Sequence, residues 1–184
     1  MNGLTLNRIT IMSVLEKFSR VKLLAFDLDG VMTNGKLLVM PDGEWIRQMD
    51  IKDGYALQHA VKSGLHLAVI TGSSSSAVGK RLQKLGIHDY FENTALKSTV
   101  LLSLAQKYNL QPNEVLFMGD DIPDLDAYKV AGCKVCPADA VQEVIAQADY
   151  ISPYNGGNGC VRDVIEKVMR ASDLWINSTN TQSI

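Results

Sequence analysis

Residues 21–30 read VKLLAFDLDG, an almost unbroken apolar run that passes directly into Asp27, Asp29 and Gly30. A short apolar run that stops at acids and a glycine is how a buried parallel strand ends when it reaches a loop at the sheet edge. The same grammar recurs outward from this point. Residues 66–70 (HLAVI) end at Thr71 and Gly72, and residues 115–118 (VLFM) end at Gly119, Asp120 and Asp121. Helices are predicted between and after these runs, over residues 53–63, 73–85, 97–108, 123–131, 141–148 and 161–169. Val78, Leu82 and Leu85 fall at i, i+4 and i+7, and Gly64, Gly86 and Gly132 sit where helices stop. Two short final strands fit at 135–136 and 150–151. Residues 36–52 carry two mixed runs around Pro41, Asp42 and Gly43, which reads as a β-hairpin inserted into the pattern. Strands alternating with helical segments give an α/β chain with a doubly wound parallel sheet.

The chain's 184 residues, 46% hydrophobic and 21% charged, suit one globular domain. We expect that domain at about 19–171, with an N-terminal extension at 1–18 and a polar C-terminal tail at 172–184. Lys and Arg number 18 against 20 Asp and Glu, a formal charge of −2. That balance leaves no electrostatic footprint for nucleic acid or an anionic membrane surface. No stretch approaches the ~20 apolar residues that a membrane-spanning helix needs. The three cysteines, Cys133, Cys136 and Cys160, are an odd set, and nothing upstream reads as a secretory leader, which favours a reducing, cytoplasmic setting. Cys133 and Cys136 have no second pair to complete a metal set, so they read as small buried side chains. His59, His66 and His88 are scattered and none adjoins an acid-bearing strand end.

Ligands of open α/β sheets bind beyond the carboxyl ends of the strands, and three of those ends are loaded with chemistry. They offer Asp27 and Asp29, then Thr71 and Gly72, then Gly119, Asp120, Asp121 and Asp124. Acids and glycines are also ordinary loop formers, but carboxylates gathered at one edge repel one another unless a hard cation such as Mg²⁺ sits among them. Asp27 and Asp29 lie at i and i+2 before a turn-permitting glycine, so both can face one pocket. A carboxylate held beside Mg²⁺ can attack phosphorus, and a second carboxyl can protonate the leaving oxygen. The Thr71 hydroxyl and backbone can grip phosphoryl oxygens, and Lys97 supplies a positive charge.

This ordered set, with Asp27-x-Asp29-Gly30, Thr71-Gly72, Lys97 and Gly119-Asp120-Asp121-x-x-Asp124, resembles the haloacid dehalogenase superfamily of aspartate-nucleophile phosphohydrolases over about residues 21–169. The resemblance implies the Rossmann-like fold of that superfamily. It makes Asp27 the nucleophile, Asp29 the general acid/base, and Thr71, Gly72 and Lys97 the phosphate grips. On the same likeness Asp27, the backbone carbonyl of Asp29 and Asp120 hold Mg²⁺, with Asp121 and Asp124 supporting the metal or Lys97. Larger members carry a cap domain, and the spacing here leaves no room for one. An uncapped cleft stays open to water. The hairpin, with Leu37, Leu38, Val39, Trp45 and Ile46, carries more apolar surface than a lone hairpin keeps exposed, so it is expected to pack against other copies.

Several stretches are similar to one capless family, the 3-deoxy-D-manno-octulosonate 8-phosphate (KDO 8-phosphate) phosphatases: DLDGVMTNGKL, DGYALQHA, RLQKLGI, GDDIPDLD and GGNGCVRDVIEKV. That likeness implies a homotetramer acting in lipopolysaccharide precursor synthesis, with a tail at 181–184 able to reach a neighbouring site. Where many members have Arg after Thr-Gly this chain has Ser73, and where many have Arg in the glycine-rich turn it has Asn158. Arg81 and Lys84, three residues apart on one predicted helix, and Arg162 are then the candidates for the substrate carboxylate. A nine-carbon sugar acid 9-phosphate phosphatase would use the same framework. A phosphotransferase and a non-catalytic partner protein on this fold stay open as other readings.

Overall fold

The computed structural model describes residues 12–175. Its first element was not expected. Residues 14–18, assigned to an extension, belong to helix α1 (Val14–Arg20), and Phe18 on it is fully buried. The sequence carries a capping box: Ser13 accepts from the Glu16 N–H and Glu16 Oε2 accepts from the Ser13 N–H at 2.7 Å. Strand β1 (Leu23–Phe26) follows, then a wide turn over Leu28–Met32 in which Gly30 adopts φ 92°. A Cβ at Gly30 would collide with the Asp120 carboxylate, so the turn requires glycine both for its backbone and for its neighbour.

The inserted hairpin is present, as β2 (Leu38–Val39) paired antiparallel with β3 (Trp45–Ile46). Next come α2 (Ile51–Lys62), β4 (His66–Ile70), α3 (Ser76–Lys84), β5 (Asp89–Phe91), α4 (Lys97–Lys107), β6 (Val115–Met118), α5 (Leu125–Tyr128), β7 (Cys133–Cys136), α6 (Gln142–Ile145), β8 (Tyr150–Ile151) and α7 (Cys160–Ala171). Strand β5 was missed, being three residues long and lacking an apolar run. The helix expected over 123–131 divides instead. A 3₁₀ turn over Ile122–Asp124, started by Pro123 and capped by Asp121, precedes the single turn of α5.

The six-stranded sheet runs β5-β4-β1-β6-β7-β8 with every pair parallel. Side chains alternate across it, which is why it is covered on both faces. Leu24, Phe26, Leu67, Val69, Leu116 and Met118 pack with Phe18, Leu57, Leu82 and Val164, while Leu23, Ala25, Ala68, Val115 and Phe117 pack with Leu101, Leu104, Tyr128 and Val144. The chain builds outward from β1 through β4 to β5, then returns to place β6 on the other side of β1. That reversal opens the crevice between the carboxyl ends of β1 and β6.

Cys133, Cys136 and Cys160 are free and buried. The expected tail begins with residues that pack: Leu174 and Trp175 lie against the core, and the Trp175 ring meets His59 edge-on at 5.1 Å. The expectation for residues 181–184 lies outside the described residues. Among the described residues no helix is long and apolar enough to cross a membrane.

Candidate active site

At the β1/β6 crevice the Asp27 N–H donates to the Met118 carbonyl at 2.9 Å, joining the two strand ends just where their acids begin. The Asp27 side chain turns into the cleft and is nearly buried, at 8% exposure. Lys97, the first residue of α4, places its Nζ 2.8 Å from Asp27 Oδ1 and 2.6 Å from Asp124 Oδ1. The other oxygen of Asp124 accepts from the backbone N–H groups of Asp120 at 2.9 Å and Asp121 at 3.2 Å. Asp124 therefore holds both the lysine and the loop that presents Asp120. Asp121 is exposed and caps the Ile122 N–H at 2.7 Å, so of the two support residues Asp124 is the one that carries Lys97.

From β4 comes Thr71, buried, whose hydroxyl accepts from the Ser73 N–H at 3.1 Å and lies 2.9 Å from Ser73 Oγ. Ser73 Oγ in turn donates to Asp29 Oδ2 at 2.9 Å. The cleft of about 390 Å³ is lined by Asp27, Asp29, Thr71, Gly72, Lys97, Asp120, Asp121 and Asp124, with Gly35, Ser73, Thr94, Ala95 and Pro123 completing its wall. Seven residues selected from the strand ends, together with Lys97 from the start of α4, thus meet in one place.

The electrostatics is that of too many carboxylates for the cations at hand. Burial, then Asp124, pushes the Asp27 carboxyl up to about 6 against the pull of Lys97. Burial, then Asp124, Asp27 and Asp121, pushes Asp120 up to about 8. Burial works against the Lys97 ammonium, but Asp27 and Asp124 outweigh it and hold Lys97 above the ordinary lysine value. Carboxylate oxygens of Asp27, Asp120 and Asp124 lie within 4.8 Å of one another, and Asp120 Oδ1 is buried without a hydrogen-bond partner among the described residues. Such an oxygen donor set, short of one positive charge, fits a hard divalent cation.

The three cations selected for a substrate carboxylate are not brought to this cleft. Arg81 on α3 lies with its guanidinium over Gly54 of α2, and Lys84 points to solvent. Arg162 stands over the rings of Tyr55 at 5.8 Å and Trp175 at 5.6 Å and reaches Glu166 at 3.6 Å. Their spacing along helices was legible, but the helix faces turn them elsewhere. A second cation that, beside Lys97, reaches the acids was overlooked. Arg47, just beyond β3, pairs with Asp29 through Nε–Oδ1 at 2.7 Å and Nη2–Oδ2 at 2.9 Å. With Ser73 it outweighs the effect of burial and holds the Asp29 carboxyl below the usual range. No motif flags Arg47. Its one signal is that the hairpin leaves and rejoins the chain close to the end of β1.

A family model for haloacid dehalogenase-like hydrolases matches residues 50–132. The 3-deoxy-D-manno-octulosonate 8-phosphate phosphatase KdsC of Escherichia coli K12 is 32% identical over 158 residues, covering 86% of this chain and 84% of that protein. A crystal structure of the phosphatase of that name from Moraxella catarrhalis, in complex with a magnesium ion, a phosphate ion and a KDO molecule, superposes with a TM-score of 0.84 at 34% identity, covering 87% of this chain and 92% of the other. The Yersinia pestis phosphatase structure gives a TM-score of 0.85 at 29% identity over 88% and 87% of the two chains. With its strand-end acids, its uncapped cleft and this likeness along most of its length, the chain belongs to the KDO 8-phosphate phosphatase family of haloacid dehalogenase-like hydrolases.

Proposed function

We propose that the chain hydrolyses 3-deoxy-D-manno-octulosonate 8-phosphate to the free sugar acid and inorganic phosphate with Mg²⁺, through a phosphorylated Asp27. The observation that carries the reading is the convergence of Asp27, Asp120 and Asp124 on one cleft with Lys97 between them and a bare oxygen on Asp120. Asp27, Asp120 and the backbone carbonyl of Asp29 would hold the cation, which when bound offsets the negative charge of the phosphoryl group.

The chain's own residues do the rest. Lys97 and Thr71 hold phosphoryl oxygens, and Asp27 attacks phosphorus while the ester P–O bond breaks. Asp29, ionised beside Arg47 in the free site, must take up a proton as the negatively charged ester binds; it gives that proton to the departing alkoxide and then takes one from the water that attacks the phosphorylated Asp27, releasing phosphate and restoring the carboxylate. Two features support the wider setting. Leu38, Val39, Trp45 and Ile46 of the hairpin are 62%, 65%, 50% and 44% exposed, an apolar surface suited to other copies in a tetramer. Three buried free thiols suit a reducing cytoplasm.

A comparison of kcat/KM for eight- and nine-carbon sugar acid phosphates with Mg²⁺ tests the assignment. The eight-carbon ester should be preferred. Faster turnover of a simple aryl phosphate than of every sugar acid ester would overturn the substrate class.

A further inference from the structure

Two side-chain cations reach the carboxylates of the cleft, Lys97 from the start of α4 and Arg47 from the inserted hairpin. Lys97 serves Asp27 and Asp124, and the bare oxygen of Asp120 faces the place where a divalent cation fits. Asp29 is answered by Arg47, whose side chain is 2% exposed although the four apolar residues of the hairpin that carries it are largely in solvent. The hairpin is loose from the domain along its apolar face and tied to it through this guanidinium.

The contact has a specific geometry. Arg47 Nε and Nη2 make parallel bonds to the two oxygens of Asp29, while Nη1 donates to the Trp45 carbonyl at 3.4 Å, back to the hairpin. A two-pronged pair of this kind fixes the plane of a carboxyl group as well as its distance, which a lysine cannot do. Asp29 Oδ1 accepts from Arg47 and Oδ2 from Arg47 and Ser73, with the Thr33 hydroxyl also close enough to bond the carboxyl. The Asp29 backbone, at φ −83° and ψ 115° beside the left-handed Gly30, lies outside regular helix and strand, and the hairpin adds a rigid two-pronged hold on its side chain.

We propose that Arg47 is a positioning residue for the reaction: with Ser73 it fixes the plane and reach of the Asp29 carboxyl that exchanges the proton with the leaving group. This rests on the reading of Asp29 as the acid/base. It makes the hairpin part of the catalytic machinery and not an assembly surface alone.

The consequence is a dependence on the leaving group. A sugar alkoxide needs a proton as it departs, and para-nitrophenolate does not. The value of kcat/KM reports events up to that departure, so it is measured for the sugar acid phosphate and for para-nitrophenyl phosphate in the wild type, Asp29→Asn, Arg47→Ala and Arg47→Lys. For Asp29→Asn we expect a loss of about 10²–10⁴-fold on the sugar ester and a much smaller one on the aryl ester, the range that a general acid contributes. Arg47→Ala should follow the same selective pattern at about 10–100-fold, a part of that contribution. Arg47→Lys, which keeps the charge and loses the fork, should fall between it and the wild type with the same selectivity and an unchanged melting temperature. Equal losses on both esters in the Arg47 variants, or a rise in KM alone, would overturn the proposal while a selective Asp29→Asn left the acid/base reading standing. Equal losses in Asp29→Asn would overturn that reading itself.

Discussion

Among the described residues, two places bury a carboxylate oxygen without a hydrogen-bond partner, and they do so for different ends. At the β1/β6 crevice Asp120 sits among Asp27, Asp121 and Asp124, and its carboxyl is pushed up to about 8. Outside the cleft, Asp53 on α2 is 2% exposed and accepts from the Arg162 N–H in the first turn of α7 at 2.7 Å, with its Oδ2 unpartnered among the described residues. Burial outweighs that bond and leaves Asp53 at about 6. The difference is in the company. Like charges converging on a bare oxygen leave room for a cation, whereas a lone carboxylate against peptide N–H groups caps a helix end that has no cap of its own, Gly159 offering none.

The cap has a structural use. The turn ahead of α7 lies directly beneath the Asp27 loop: the Gly157 N–H donates to the Val31 carbonyl at 2.9 Å, and a Cβ on Gly156 would collide with the Gly30 carbonyl. Asp53 therefore belongs to the support of the site and Asp120 to its chemistry.

Substitution should separate the two regions. The largest effect is expected for Asp27→Asn, which removes the proposed nucleophile: phosphate release should fall by more than about 10³-fold with the circular dichroism spectrum and melting temperature kept, and activity within tenfold of wild type would place the nucleophile elsewhere. Asp120→Asn comes next. Mg²⁺ should raise the melting temperature of the wild type by mass action and leave that of Asp120→Asn unmoved. Because the metal must displace a proton held at about 8, the Mg²⁺ midpoint of the wild type should move to higher concentration as the pH falls from about 8 to about 6. A pH-independent midpoint would argue against Asp120 as a ligand.

Effects at Asp53 should be smaller and should appear as stability. Asp53→Ala is expected to cost about 1–3 kcal/mol in urea unfolding, the usual penalty for leaving a buried N–H group without its acceptor. The sign of its pH dependence also follows. A carboxyl raised above its ordinary 3.8 to about 6 contributes stability below pH 4 that is lost as the pH rises through 6. The wild type should therefore lose up to about 3 kcal/mol relative to Asp53→Asn over that interval. A parallel pair of stability curves would show that Asp53 is ionised throughout.

The same contrast explains what could be read in advance. Asp27, Thr71 and Asp120 were legible because a buried parallel strand announces its end by a change from apolar to polar residues, and chain topology alone then brings the ends together. Helix α1 had its signal too, in Ser13 and Glu16, but about two turns of periodicity do not stand out from an extension. Arg47 and Asp53 were not legible as partners. Arg47 meets a carboxylate 18 positions earlier through a fold-back of the hairpin, and Asp53 meets a backbone N–H 109 positions later. Neither contact has a local pattern. Arg81, Lys84 and Arg162 lie away from the acidic cleft for the converse reason: helical spacing tells which residues share a face and leaves open what that face meets.

The most direct test of the account is a single turnover of para-nitrophenyl phosphate with Mg²⁺ by the Asp29→Asn variant, in which attack of water is slowed, quenched in acid and read by peptide mass spectrometry. The account predicts one phosphoryl group per chain, carried on Asp27 and appearing with the burst of para-nitrophenolate. A burst with Asp27 unmodified, or with the phosphoryl group on another residue, would contradict it.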